Sequence, residues 1–185
     1  MLIRHNREKL INAIIFFSNE TSHCNKIKLF KLLYHFDFEH FSLTGRPVTD
    51  LEYYAWPMGP VPKGLDGEID NPPEDLKGKV RFEMITGKKG RKSLQISPEA
   101  EFDPTCFTKR ELAILKDVAY RYAMDKADEM IESTHLPTQP WHRVYNEEQK
   151  KNQLIPYEYV LDKNPHKQEL LESFKEYKEM LANYA

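Results

Sequence analysis

His35 and Glu39 stand four residues apart, the spacing that brings two side chains onto one helix face and lets them share a divalent metal. A third ligand would have to come from far along the chain, and His135 and His142 are the imidazoles on offer. The set His35, Glu39 and His135 therefore outlines a metal-dependent hydrolase. The plainer alternative is a polar helix face with Glu39 beside His35. Cys106, in Asp103-Pro104-Thr105-Cys106-Phe107, sits at a helix entry without the neighbouring positive charge that makes a thiolate, and Cys24 reads as a core filler. Basic residues gather at Lys26, Lys28 and Lys31 and again at Lys88, Lys89, Arg91 and Lys92. A nucleic-acid-binding regulator would need these joined in one patch with exposed aromatics. With 27 Lys plus Arg against 29 Asp plus Glu, the net charge is −2, so the whole chain offers no electrostatic case for nucleic acid. No motif calls for a cofactor or a resident metal. Arg46 has a planar guanidinium that can grip a carboxylate or backbone carbonyls, either within its own loop or on a partner.

The elements that position these residues follow from periodicity. Leu10, Ile11, Ile14, Ile15 and Phe17 recur at helical spacing over 6–18, with Asn6 as the expected cap. The first half of the stretch from Asn25 to Val61, with Ile27, Leu29, Phe30, Leu32, Leu33, Phe36, Phe38 and Phe41, is apolar on too wide an arc for a single stripe, which predicts a central, largely buried helix. Asn25 or Ser22 can cap its start, and Gly45 suits the left-handed position after its end. Leu51–Trp56 has the aromatic bias of a strand. Pro57, Pro60 and Pro62 then remove three backbone donors, which predicts a stiff loop through which no sheet ladder runs, with Trp56 largely buried as its anchor. Alternation in 80–85 and 92–96 predicts a β-hairpin, with 52–56 as its third strand.

Thr108 and Glu111 form a capping box for a helix whose stripe is Leu112, Leu115, Ala119 and Tyr122, and Asp125 is the expected cap of the next helix. Trp141 and Val144 face inward from a short helix. Leu154-Ile155-Pro156 is an extended link, and Asn164-Pro165 opens a final helix with the stripe Leu170, Leu171, Phe174, Tyr177, Met180 and Leu181. The fold class is thus α+β and mostly α-helical: a central buried helix, surrounding helices and a small antiparallel three-stranded β-sheet. The chain of 185 residues divides into a domain at 1–160 and a C-terminal amphipathic helix at 161–185, packed on the domain or on a partner. Two distant cysteines, an N-terminus without a signal-peptide core and no segment of membrane-spanning length lead us to expect a soluble cytoplasmic protein.

One set of motifs goes further. Lys31-Leu32-Leu33-Tyr34, then Gly45-Arg46-Pro47, then Tyr53, Ala55, Trp56, Gly59, Pro60, Val61 and Pro62, followed much later by Thr134-His135 and Pro140-Trp141, resemble the Panacea domain of SocA-like antitoxins over roughly residues 5 to 150. What the resemblance implies is an antitoxin of a bacterial or phage toxin–antitoxin system. Such a protein neutralises a cognate toxin by direct binding, or acts as an adaptor delivering it to a protease of the AAA+ type, and is not an enzyme. The signature or partner-binding positions it points to are Lys31, Tyr34, Arg46, Tyr53, Trp56, Gly59, Pro60, Val61, His135 and Trp141. A homodimer is a further expectation, since the terminal helix offers a self-associating stripe.

Overall fold

The computed structural model describes residues 2–87, 90 and 92–184. Helix α2, Lys26–Thr44, is the axle: Asn25 caps it by accepting from the Lys28 amide at 2.9 Å, and Gly45 closes it at φ +69°. Its flanks are buried almost all round, as the apolar arc predicted. Helix α1, Leu2–Glu20, lies against it with Leu10, Ile11, Ile14 and Phe17 in the core. The helix starts before Asn6, so that residue is not a cap. Its side chain is buried and donates to Asp50 and to the Tyr177 hydroxyl, tying α1 to the far end of the chain.

The sheet expectation is corrected. Strand β1, Tyr53–Trp56, pairs with β2, Gly59–Pro62, while β3, Val80–Thr86, pairs with β4, Lys92–Pro98, and the two antiparallel pairs are separate sheets. The proline stretch therefore does carry a ladder. Pro60 and Pro62 stand opposite Ala55 and Tyr53, whose own backbone groups turn the other way, to Gln153, Asn152 and Ile155 at 2.8–2.9 Å. At those alternate positions an N–H is not needed, so proline is tolerated. The third neighbour of β1 is thus the Leu154 link, which bridges Tyr54. Inward and outward faces alternate along β1, so Tyr53 and Ala55 are buried and Trp56 is only half-buried, correcting the expectation for Trp56.

Helix α3, Lys63–Asp70, leads to the β3–β4 hairpin, which meets the core through Val80 and Ile96. Helix α4, Lys109–Arg121, begins with the expected capping box, and its Glu111 also takes a 2.7 Å bond from buried Lys9 of α1. Helix α5, Ala127–His135, is capped at Lys126, whose amide donates to Glu129, and not at Asp125, whose carbonyl is occupied by the Lys28 ammonium. Helix α6, Pro140–His142, runs into a wide turn at Arg143–Glu147 that keeps Val144 inside. Helix α7, Lys167–Tyr184, starts two residues beyond Pro165, while Asn164 caps the preceding turn through the His166 amide.

Two apolar clusters result. The main one gathers α1, α2, α4 and both hairpins, and a satellite of Phe41, Leu161, Phe174 and Tyr177 docks α7 on the end of α2. The approach is close at Gly45, where a Cβ would run into the Leu170 carbonyl. Among the described residues seven α-helical segments and two two-stranded sheets make a mostly helical α+β fold, and no helix is long and apolar enough to cross a membrane.

Candidate functional site

Signature residues a hundred positions apart in sequence meet at one place, where the β1–β2 hairpin is clamped between α2, α5 and α6. Lys31 and Tyr34 lie three apart on one face of α2. The Lys31 ammonium nitrogen donates to the Pro60 carbonyl at 2.9 Å. Gly59 takes φ +98° and passes so close that a Cβ would stand 2.6 Å from Lys31 Cε and 2.9 Å from Thr134 Oγ1. Glycine is required there for both reasons. Helix α5 delivers Thr134 and His135, and the His135 ring lies flat on Trp141 with centroids 3.7 Å apart. Trp141 Nε1 donates to the Trp56 carbonyl at 3.0 Å, so the buried tryptophan that anchors the hairpin is Trp141, from the second motif. Tyr53 and Val61 are buried from the two strands, and Tyr53 meets Tyr34 edge-on at 5.6 Å.

The electrostatics of this clamp are those of a dry interior. Lys31 is 1% exposed, and burial pushes its pKa down to about 7. Burial also lowers His135, helped by Lys31 and His142, and burial raises Tyr34. The Tyr34 hydroxyl and His135 Nε2 are buried without a hydrogen-bond partner among the described residues. The arrangement can hold a hairpin rigidly in register, with one amine bonded to a carbonyl that lies beyond the reach of solvent.

The Lys31 shift has a measurable consequence. An unfolded lysine titrates near 10.5 and the folded one near 7, so between these values the unfolded chain binds more protons and stability rises with pH. Relative to Lys31→Met, the wild-type protein is expected to gain about 1.4 kcal/mol per pH unit within that window. Urea unfolding at pH 7, 8.5 and 9.5 checks this, and parallel pH profiles for the two proteins would refute it.

The other sequence candidates are dispersed. His35 Nε2 is 3.0 Å from Ser133 Oγ, its ring stacks on Tyr122 at 4.8 Å, and burial pushes its pKa down to about 3. It is therefore neutral, so its 3.8 Å approach to Glu39 is not an ion pair. Glu39 instead accepts on both carboxylate oxygens from Arg121 Nη2, at 2.7 and 2.6 Å. With His135 on Trp141, the structure does not bring His35, Glu39 and His135 together as a ligand set. Among the described residues no three His, Cys, Asp or Glu side chains are grouped to hold a metal. Burial pushes Cys24 up to about 12 and Cys106 up to about 11, so both thiols stay protonated at neutral pH.

The helix lysines do not make a basic patch. Lys26 pairs with Asp66 at 2.7 Å, Lys28 donates to the carbonyls of Ser22, Ala123 and Asp125, and Lys31 points into the clamp. Of the hairpin cluster, Lys88, Lys89 and Arg91 lie outside the described residues, while Lys92 is exposed. Arg46 is exposed, with its guanidinium 5.6 Å over the Tyr177 ring. Its carbonyl accepts from His40 Nδ1 at 2.7 Å, so the backbone of this residue fastens the loop to α2 while the side chain faces out.

Sequence reasoning missed Asp37. Its buried carboxylate accepts from the amides of Val48 and Thr49, both at 2.8 Å, and from the hydroxyls of Thr49 and Tyr53 at 2.5 and 2.8 Å. The available signal was an acid set between Phe36 and Phe38 in the most apolar stretch of the chain.

Fold and site together define a mostly helical α+β scaffold in which most of the motif residues lock one short hairpin in place, while Gly45 and Arg46 lie at the α2–α7 contact. A family model described as Antitoxin SocA-like, Panacea domain, matches residues 29–142, and the chain belongs to that family. The match starts inside α2 and ends at α6, so it takes in every element of the clamp. No curated protein and no solved structure matches the chain.

Proposed function

We propose that this chain is the antitoxin of a bacterial or phage toxin–antitoxin system, and that it neutralises a cognate toxin in the cytoplasm by binding it directly and without turnover. Membership of the SocA-like antitoxin family carries the reading. The geometry supports it: Lys31, Tyr34, Tyr53, Gly59, Pro60, Val61, His135 and Trp141 shape the scaffold from within, which leaves the surface to specify the partner. In this reading the binding domain spans residues 1–160 and the helix at 161–185 closes it. Exposed Arg46 and half-exposed Trp56 are the signature side chains placed to meet the toxin.

The test is co-expression with the product of a neighbouring gene that arrests growth when expressed alone. Growth arrest caused by that product should be relieved, and the two proteins should co-purify in a fixed ratio. Arrest that persists with this chain present and folded would overturn the reading. Repeating the experiment in cells lacking AAA+ proteases separates the two binding modes: direct neutralisation persists there, whereas an adaptor fails.

A further inference from the structure

The β3–β4 hairpin has one closed edge and one open edge. On the β4 side the Ile96 amide donates to the Cys24 carbonyl at 2.9 Å, and Asn25 bridges Gln95, so β4 is covered by the turn before α2. That bond fixes the phase of the ladder. Ile96 and its partner Phe82 turn their backbone groups away from each other, and so do Met84 with Leu94 and Thr86 with Lys92. The N–H and C=O groups of Phe82, Met84 and Thr86 therefore point off the outer edge of β3. Among the described residues no backbone group meets them. The side chains there are also left in water: Met84 is 59% and Ile85 41% exposed, on opposite faces of the strand. A seven-residue edge with free backbone groups and apolar side chains on both faces is a template for another strand, and a two-stranded sheet alone is marginal.

We propose that this edge pairs with the same edge of a second copy, joining two hairpins into one four-stranded antiparallel sheet. The sequence of β3 is suited to a two-fold axis at Met84. With Met84 opposite its own copy, Phe82 stands opposite Thr86 and all three outward-facing residues satisfy one another. On the reverse face Glu83 then stands opposite Ile85, and Arg81 opposite Gly87, so no like charges face directly. The neighbouring register centred on Glu83 sets two carboxylates opposite each other, which disfavours it. An isologous contact of this kind closes as a dimer and does not propagate. The strand pair is small beside a standard interface of about 1,600 Å², so the dimer forms in a concentration-dependent equilibrium. This inference is independent of the antitoxin reading.

Sedimentation of the full chain over a concentration series should show the mass rising from 21.9 kDa toward twice that value. Ile85→Glu places a carboxylate opposite Glu83 on each side of the axis and should weaken the dimer about tenfold, while Glu83→Lys with Ile85→Glu restores opposite charges and the dimer. Both sites are exposed, so melting temperatures should stay at the wild-type value. Met84→Cys should give a covalent dimer on mild oxidation, because Cα atoms in such a pair sit about 5.5 Å apart, within disulfide reach. A wild-type mass fixed at one chain across the series overturns the proposal, as does a double variant no tighter than Ile85→Glu. Amides of Phe82, Met84 and Thr86 that exchange freely in the concentrated chain and become protected only on adding the toxin would give the edge to the toxin and overturn it as well.

Discussion

Asp37→Ala is expected to cost roughly 4 kcal/mol or more, because it strands four buried donors at once and each unmet one costs about 1–3 kcal/mol. The carboxylate sits on α2 and collects the loop at Val48 and Thr49 together with the Tyr53 hydroxyl, so it ties helix, loop and β1 in one node. Burial raises its pKa and the four donors offset only part of that, for a net value of about 6, which leaves it mostly ionised at neutral pH. For a chain of this size the loss corresponds to a melting temperature lower by roughly 8–16 °C. Asp37→Asn keeps one carbonyl acceptor and should fall between. A melting point for Asp37→Ala within about 2 °C of wild type would show that the node is dispensable.

Trp141→Ala should cost about 3–5 kcal/mol, the range for truncating a large buried aromatic. The indole is 2% exposed, sandwiched between His135 at 3.7 Å and Tyr145 at 4.6 Å, and its N–H holds the Trp56 carbonyl. Trp141→Phe keeps much of the stacking but loses that hydrogen bond, for about 1 kcal/mol. Trp56→Ala, at a half-buried outward position of β1, should lose only about 1 kcal/mol. The comparison is made by urea unfolding. Equal losses at Trp56 and Trp141 would return the anchoring role to the strand and refute the clamp described above.

The clamp was partly legible because its members carry distinct chemistry: Lys-Leu-Leu-Tyr on a helix, Gly-Pro-Val-Pro after a strand, and Thr-His with Pro-Trp far downstream. Their meeting was not legible, since nothing local says that Pro60 will accept from Lys31 or that His135 will lie on Trp141. The basic character of Lys28 and Lys31 was misleading in isolation. Each had a long apolar stem and a nearby carbonyl, and a lysine with both can be drawn inside. His35 and Glu39 kept their helical spacing, yet Ser133 and Arg121 from other elements claimed them separately.

By itself the sequence determined what depends on near neighbours. The cap at Thr108, the left-handed Gly45, the apolar arc of α2 and the stripe of α7 all arise from side chains within a few residues of one another, where spacing fixes geometry. The choice of Asn25 over Ser22 as the cap of α2 was left to the structure. Tertiary structure decided what depends on competition between distant groups. The strand at Tyr53 had two possible partners, and the proline-bearing segment took it because Pro60 and Pro62 fall at ladder positions that need no donor, while the Leu154 link filled the other side. The long hairpin was left with an open edge, and Asn6, free of a capping role, was drawn to Asp50 and Tyr177 across the molecule. Each outcome turned on which buried polar group could be satisfied by which other, and that is settled only when the whole chain has packed.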